Sequence, residues 1–136
     1  MPASVLVDAG FVVALLVERD TNHAWANLEA VNRPPPWHTC EAAICEIFYL
    51  LAASSQPIFV ELLRRGAVIP SFRLTDSSEA VLTLLQKYAD VPMSFADACL
   101  VRMTELLPEP ILLTTDNDFR IYRRHSRRAI PCVLPS

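Results

Sequence analysis

Glycine is scarce in this sequence: only Gly10 and Gly66 occur among 136 residues. The Gly-rich phosphate cradles of the Rossmann and P-loop kinds need several glycines within a few positions, so both are excluded. No apolar run reaches the ~18–20 residues that a membrane-spanning helix requires. The first residues, MPASVLVDAG, lack a basic stretch followed by a long apolar one, and read as a mature cytoplasmic start. The four cysteines, Cys40, Cys45, Cys99 and Cys132, form no C-x-x-C and have no paired histidines. That pattern argues against zinc and for free thiols in a reducing compartment.

Apolar side chains are abundant, at 52% of residues against 20% charged. Disorder is excluded, and residues 1–136 suit one domain with a proper core. The apolar surplus points to a large core, an oligomer face, or both. A net charge of −3 does not advertise nucleic-acid binding, but the distribution is uneven. Arg120, Arg123, Arg124, Arg127 and Arg128 crowd into RIYRRHSRR, five of the twelve basic residues. Such a run is a solvated chain end, a landing surface for an acidic partner, or a holder of nucleic-acid backbone.

Hydrophobic periodicity predicts alternating elements. Ser4–Val7 reads as a strand closed by Asp8. FVVALLV opens a helix ending near residues 18–20, and Thr21–Val31 a shorter one. RPPP breaks the pattern before a short strand at Trp37–Thr39. CEAAICEIFYLLAAS is a strong helix with Thr39 as N-cap, and PIFVELLRRG a further one with Pro57 in its first turn and Gly66 as its stop. A strand region comes next in AVIPSFRLT. Asp76–Tyr88 is helical, with Asp76 and Glu79 resembling a capping box. Ser94–Leu107 is helical, Ile111–Thr114 a strand, Asp118–Tyr122 one helical turn and Ile130–Leu134 a last strand. Strands alternating with helices predict an α/β fold with a mainly parallel sheet covered on both faces.

Most of the fifteen acids, Glu29, Glu61, Glu79, Glu105 and Glu109 among them, suit a solvated face. Four do not. Asp8 and Asp116 end the strands VLVD and ILLTTD. Each is an N-cap for the next helical segment, or part of a crevice at the carboxyl ends of parallel strands, where ligands bind. Glu46 sits inside an apolar helix whose same-face neighbours, Ala42, Ala43, Tyr49 and Leu50, offer it no partner. Asp97 forms a capping box with Ser94, yet Leu100 and Val101 beside it point it inward. Carboxylates ~5 Å apart repel by roughly 3 kcal/mol at an effective dielectric of ~20. Gathering four therefore implies a cation, and an all-oxygen site suits Mg²⁺ or Mn²⁺.

The segments LVDAGFVVALL, ICEIFYLL, MSFADACLV and LLTTDNDF, in that order, resemble the PIN-domain nucleases, particularly the VapC-type toxins of prokaryotic toxin–antitoxin pairs. The resemblance implies a PIN-like three-layer sandwich, a central mainly parallel sheet flanked by helices, with an acidic pocket at its carboxyl edge. It implies that Asp8, Glu46, Asp97 and Asp116 are catalytic and bind metal, with Asp118 as a further metal-site acid. Thr114 and Thr115 would orient the carboxylates, and Phe119 would fold back as a plug. Glu41, five residues before Glu46, is the rival helix acid. Relatives often carry a serine or threonine where Ala9 and Gly10 stand, which leaves one hydrogen-bonding group without a counterpart. The implied activity is Mg²⁺- or Mn²⁺-dependent hydrolysis of RNA, with the arginine cluster on the RNA backbone. The implied partners are a cognate antitoxin and a second copy in a homodimer. The alternatives are an RNA-processing nuclease without an antitoxin, or an inactive PIN-like binding module.

Overall fold

A computed structural model describes residues 2–136. β1 (Ser4–Val7) runs into α1 (Ala9–Leu16) and α2 (His23–Asn32); β2 (Trp37–Thr39) is followed by α3 (Glu41–Leu50) and α4 (Gln56–Arg64). β3 (Val68–Pro70), α5 (Ser78–Lys87), α6 (Phe95–Leu106) and β4 (Pro110–Leu113) come next. The chain ends in β5 (Arg123–Arg124), β6 (Arg128–Ala129) and β7 (Cys132–Val133). Five strands form one sheet in the order β3-β2-β1-β4-β7, and every pair in it is parallel. This is the α/β sandwich expected from the alternation of elements. No helix among the described residues is long and apolar enough to cross a membrane.

Side chains alternate across a strand, so the central strands feed two cores. Leu6 and Leu112 face one layer with Ala43, Val81, Leu100, Met103, Phe119 and Tyr122. Val7 and Leu113 face the other with Phe11, Val12, Ala26, Ile47 and Phe59. Both faces of β1 and β4 are covered, which explains why these segments are near-continuous aliphatic runs. The four cysteines are free thiols; Cys40 and Cys99 are buried, while Cys45 is exposed.

Several local expectations are corrected. α1 ends at Leu16, short of residues 18–20, because Val17 is extended. Thr39 does not cap α3: it stays in β2, its hydroxyl donates to the Val7 carbonyl at 2.8 Å, and Cys40 takes the N-cap position. Asp76 belongs to a 3-10 turn over Leu74–Asp76 and faces Arg73 at 3.4 Å, so α5 starts from Ser77 without a capping box. Glu29 is not solvated but buried, in an ion pair with Arg33 at 2.7 Å. Glu105 is likewise largely covered, paired to Arg102 at 3.1 Å.

The arginine-rich run also holds a feature that periodicity did not show. β5 and β6 form a small antiparallel hairpin, with Arg124 opposite Arg128. His125 and Ser126 in its turn take the left-handed backbone region, at φ 48° and 68°. Such turns normally announce themselves through Asn or Gly, and this one has neither.

Candidate active site

The sheet order places β1 at the centre, and the chain changes direction there. After β1 it builds β2 and β3 on one side; after α6 it returns to lay β4 on the other. The crevice beyond the carboxyl ends of β1 and β4 is thus a topological switch point, the usual ligand position in open parallel sheets. Val7 pairs with Leu113 in register, so Asp8 and Thr114 emerge side by side one residue later.

The carboxylates are held by neutral donors. Asp8 accepts a short hydrogen bond from the Thr114 hydroxyl at one oxygen. Its other oxygen accepts from the Phe11 backbone N–H at 2.9 Å, which caps α1. Thr114 Oγ1 in turn accepts from the Asp116 N–H at 2.9 Å. Asp116 Oδ1 accepts from the Asp118 N–H at 2.9 Å and opens a 3-10 turn over Asn117–Arg120. Asp8 and Asp116 are therefore caps and neighbours in one crevice at once; the two readings do not compete. Asp97 arrives from the first turn of α6, whose N-cap Ser94 accepts from the Asp97 N–H at 3.0 Å. Its carboxylate accepts from the Tyr122 hydroxyl at 3.1 Å. Phe119 is fully buried and meets the Tyr122 ring edge-on, with centroids 5.3 Å apart.

Electrostatics ties these groups together. Burial pushes the Asp8 carboxyl up to about 7, and the charges of Asp97 and Asp116 add to the rise, against the Thr114 and Phe11 hydrogen bonds. Burial and the Asp116 charge push Asp97 up to about 6; Glu46 adds to the rise, and the Tyr122 and Ser94 hydroxyls oppose it. The Tyr122 phenol is raised well above its ordinary value by burial and by Asp97, so it stays a proton donor to that carboxylate. Glu46 is thus the α3 acid whose charge reaches Asp97. Glu41 lines a different cavity of about 130 Å³ with Cys40, Phe72, Phe95 and Cys99. The Asp118 charge adds to the rise of the Tyr122 phenol.

Among the described residues, no Lys or Arg forms an ion pair with Asp8, Glu46, Asp97, Asp116 or Asp118; the ion pairs lie at Glu29, Glu61, Asp76 and Glu105. Nor do three His, Cys, Asp or Glu side chains there converge into one ready-made ligand set. The observed carboxylates turn to hydroxyls and backbone N–H groups instead. A hard cation held by one or two carboxylates, with water completing its shell, fits this arrangement; a cage of direct protein ligands does not.

The five arginines divide. Arg123 donates to the carbonyls of Arg120, Tyr122 and Ile121 at 2.7, 3.0 and 3.3 Å. Arg124 is strapped to the Thr104 carbonyl of α6, and its Nε is buried without a partner. Arg120, Arg127 and Arg128 are exposed. Sequence reading missed the Tyr122–Asp97 contact, which joins residues 25 apart and leaves no local pattern. It also missed the approach of Thr115 to Gly10, where a Cβ on Gly10 would collide with the Thr115 hydroxyl oxygen.

An all-parallel sheet with unpaired acids gathered at its switch point defines a class of α/β proteins built to act on a ligand at the carboxyl edge. The particular family is fixed by the sequence: the profile of the PIN domain matches residues 5–124, and the chain belongs to that family. PIN domains are generally nucleases. Comparison with curated proteins finds no match.

Proposed function

We propose that this protein is a Mg²⁺- or Mn²⁺-dependent endoribonuclease, the VapC-type toxin of a type II toxin–antitoxin pair. The observation that carries the nuclease reading is the meeting of Asp8, Asp97 and Asp116, within the field of Glu46 and without a basic partner, at the β1–β4 switch point. One or two of Asp8, Asp97 and Asp116 would hold the ion directly, and the others, with Glu46 and Asp118, would act through its waters. A divalent ion bound there supplies charge against the scissile phosphate and acidifies water for in-line attack. Tyr122 and Thr114 keep Asp97 and Asp8 in place through their hydroxyls. The histidines are engaged elsewhere or peripheral. His23 bonds with the Ala14 carbonyl and Asn27, His38 with Ser71, and His125 lies in the hairpin turn. That leaves carboxylate chemistry as the better-supported route.

Exposed Arg120, Arg127 and Arg128 bind the RNA backbone, while Arg123 and Arg124 shape the hairpin that presents two of them. We read residues 1–136 as a single PIN domain, because β7, beyond the matched span, extends the sheet beside β4. The toxin role, the cognate antitoxin, the homodimer and the cytoplasmic location rest on family resemblance. Leu28 and Val31 on α2, Tyr49 and Leu50 at the end of α3 and Ile58 on α4 add exposed apolar surface suited to such partners. The test is a map of new RNA 5′ ends in a bacterium after induction of the wild type or of Asp97→Asn. Ends that appear only with the wild type are the expected result. Identical maps from two soluble, folded proteins would overturn the nuclease reading in that host, and co-expression with the adjacent reading frame tests the antitoxin.

A further inference from the structure

The close approach of Thr115 to Gly10 has a chemical use. Gly10 is the second residue of α1 and sits two positions after Asp8. A Cβ at this position would overlap the Thr115 hydroxyl oxygen and lie 3.6 Å from Asp8 Oδ1. No side chain at position 10 can coexist with Thr115 as it stands, so glycine here serves close approach rather than an unusual backbone angle. The two threonines beyond β4 are then unlike each other. Thr114 is fully buried, and its hydroxyl is used twice, on the Asp8 carboxylate and the Asp116 N–H. Thr115 is partly open to solvent, and none of the side-chain hydrogen bonds among the described residues involves it. A hydroxyl offers one donor and two acceptor sites. Hard divalent ions retain several waters, and those waters need acceptors.

We infer that the Thr115 hydroxyl is a positioning group for the hydration shell of a divalent ion at Asp8, and that Gly10 is glycine to admit it. It accepts a hydrogen bond from that shell on the side of the crevice where the first turn of α1 carries no polar side chain. The inference rests on the divalent-ion reading proposed for the crevice and deepens it. It departs from the expectation that Thr115 orients a carboxylate, a task that, of the two threonines, the geometry gives to Thr114.

The experiment is Mn²⁺ titration of the purified full chain, followed by the electron paramagnetic resonance of free Mn²⁺, with no RNA present. Wild type, Asp116→Asn, Thr115→Val, Thr115→Ser and Gly10→Ala are compared, and their melting temperatures without metal are recorded. Groups that act on a metal through a neighbour typically change its affinity by about 10–100-fold. Thr115→Val keeps the shape of the side chain and loses the hydroxyl; it is expected to weaken Mn²⁺ binding about tenfold at an unchanged metal-free melting temperature. Thr115→Ser keeps the hydroxyl and is expected to stay within about twofold of the wild type. Gly10→Ala, which displaces the hydroxyl, is expected to match Thr115→Val. If Thr115→Val binds Mn²⁺ as the wild type does while Asp116→Asn loses it, this inference is overturned and the metal site stands. If Thr115→Ser is as weak as Thr115→Val, the methyl rather than the hydroxyl matters and the inference is again overturned. If the wild type shows no binding that Asp116→Asn removes, the inference and the divalent-ion reading fall together.

Discussion

The acidic crevice and the arginine hairpin adjoin in sequence only at Asp116 and Asp118; they carry opposite charge and treat it differently. In the crevice, Asp8, Asp97 and Asp116 are gathered from three parts of the chain, and the hydrogen bonds to their oxygens among the described residues come from neutral donors. Asp8 and Asp97 are raised to about 7 and about 6, with burial the largest cause. In the hairpin, charges close in sequence, two of them cross-strand partners, are put to different uses. Arg123 and Arg124 lie against backbone carbonyls, and Arg120, Arg127 and Arg128 face solvent. Both regions share α6, which carries Asp97 at one end and the Thr104 carbonyl that straps Arg124 near the other. A concentration of charge in sequence therefore does not show how each charge is used.

The comparison breaks most sharply at the crevice. Asp116→Asn keeps the amide oxygen that accepts from the Asp118 N–H, so the fold should survive. Mn²⁺-dependent RNA cleavage should fall by at least ~100-fold, as expected when charge that serves the transition state is removed. A gel assay on any cleaved RNA checks this, and retained activity would return Asp116 to a capping role.

The next effect concerns pH. Asp8 is protonated more readily folded than unfolded, so its contribution to stability is present below the unfolded value near 3.8 and is lost as pH rises through about 7. At ~1.4 kcal/mol per unit the loss is on the order of 4 kcal/mol. Asp8→Asn should therefore be more stable than the metal-free wild type at pH 8, and the gap should close toward pH 4. Melting curves across that range read the effect, and Mn²⁺ should raise the wild-type curve at pH 8 while leaving Asp8→Asn unmoved.

Two smaller effects separate the arginines. Replacing Arg120, Arg127 and Arg128 together by alanine should weaken RNA binding and lower the slope of log affinity against log salt by about 2, at ~0.7 per single-strand phosphate contact. Arg124→Ala should instead cost about 1–3 kcal/mol of stability, from the lost bond to the Thr104 carbonyl. A melting temperature unchanged by Arg124→Ala would mean that the strap does not hold the hairpin. The smallest change is expected for Tyr122→Phe, which removes one hydroxyl from Asp97 and should cost about 1 kcal/mol or less, read by denaturant titration.

The fold was largely legible. The alternation of short aliphatic runs with helical periodicity pointed to the parallel sheet, and Gly66, at φ 71°, stops α4 where expected. Local capping was legible only where one hydrogen bond decides it, as at Ser94. It failed at Thr39 because a pairing between strands 32 residues apart, the hydroxyl on the Val7 carbonyl, outweighs the local alternative. Glu29 and Glu105 looked solvated because burial by a partner four or three residues away does not alter the polarity of the segment. The acids of the crevice were found because each stood at a strand end or on a helix face with no local partner.

By itself, the sequence determined most of the elements, their two-sided burial, and which crevice carboxylates lacked local partners, since all of these depend on neighbours within a few residues. Tertiary structure alone decided that Asp8, Asp97 and Asp116 share one field, that Tyr122 serves Asp97, that two of five arginines bond to backbone carbonyls, and that Thr115 stands where a side chain at Gly10 would be. Those relations join residues tens of positions apart through packing, and packing leaves no periodic trace in the chain.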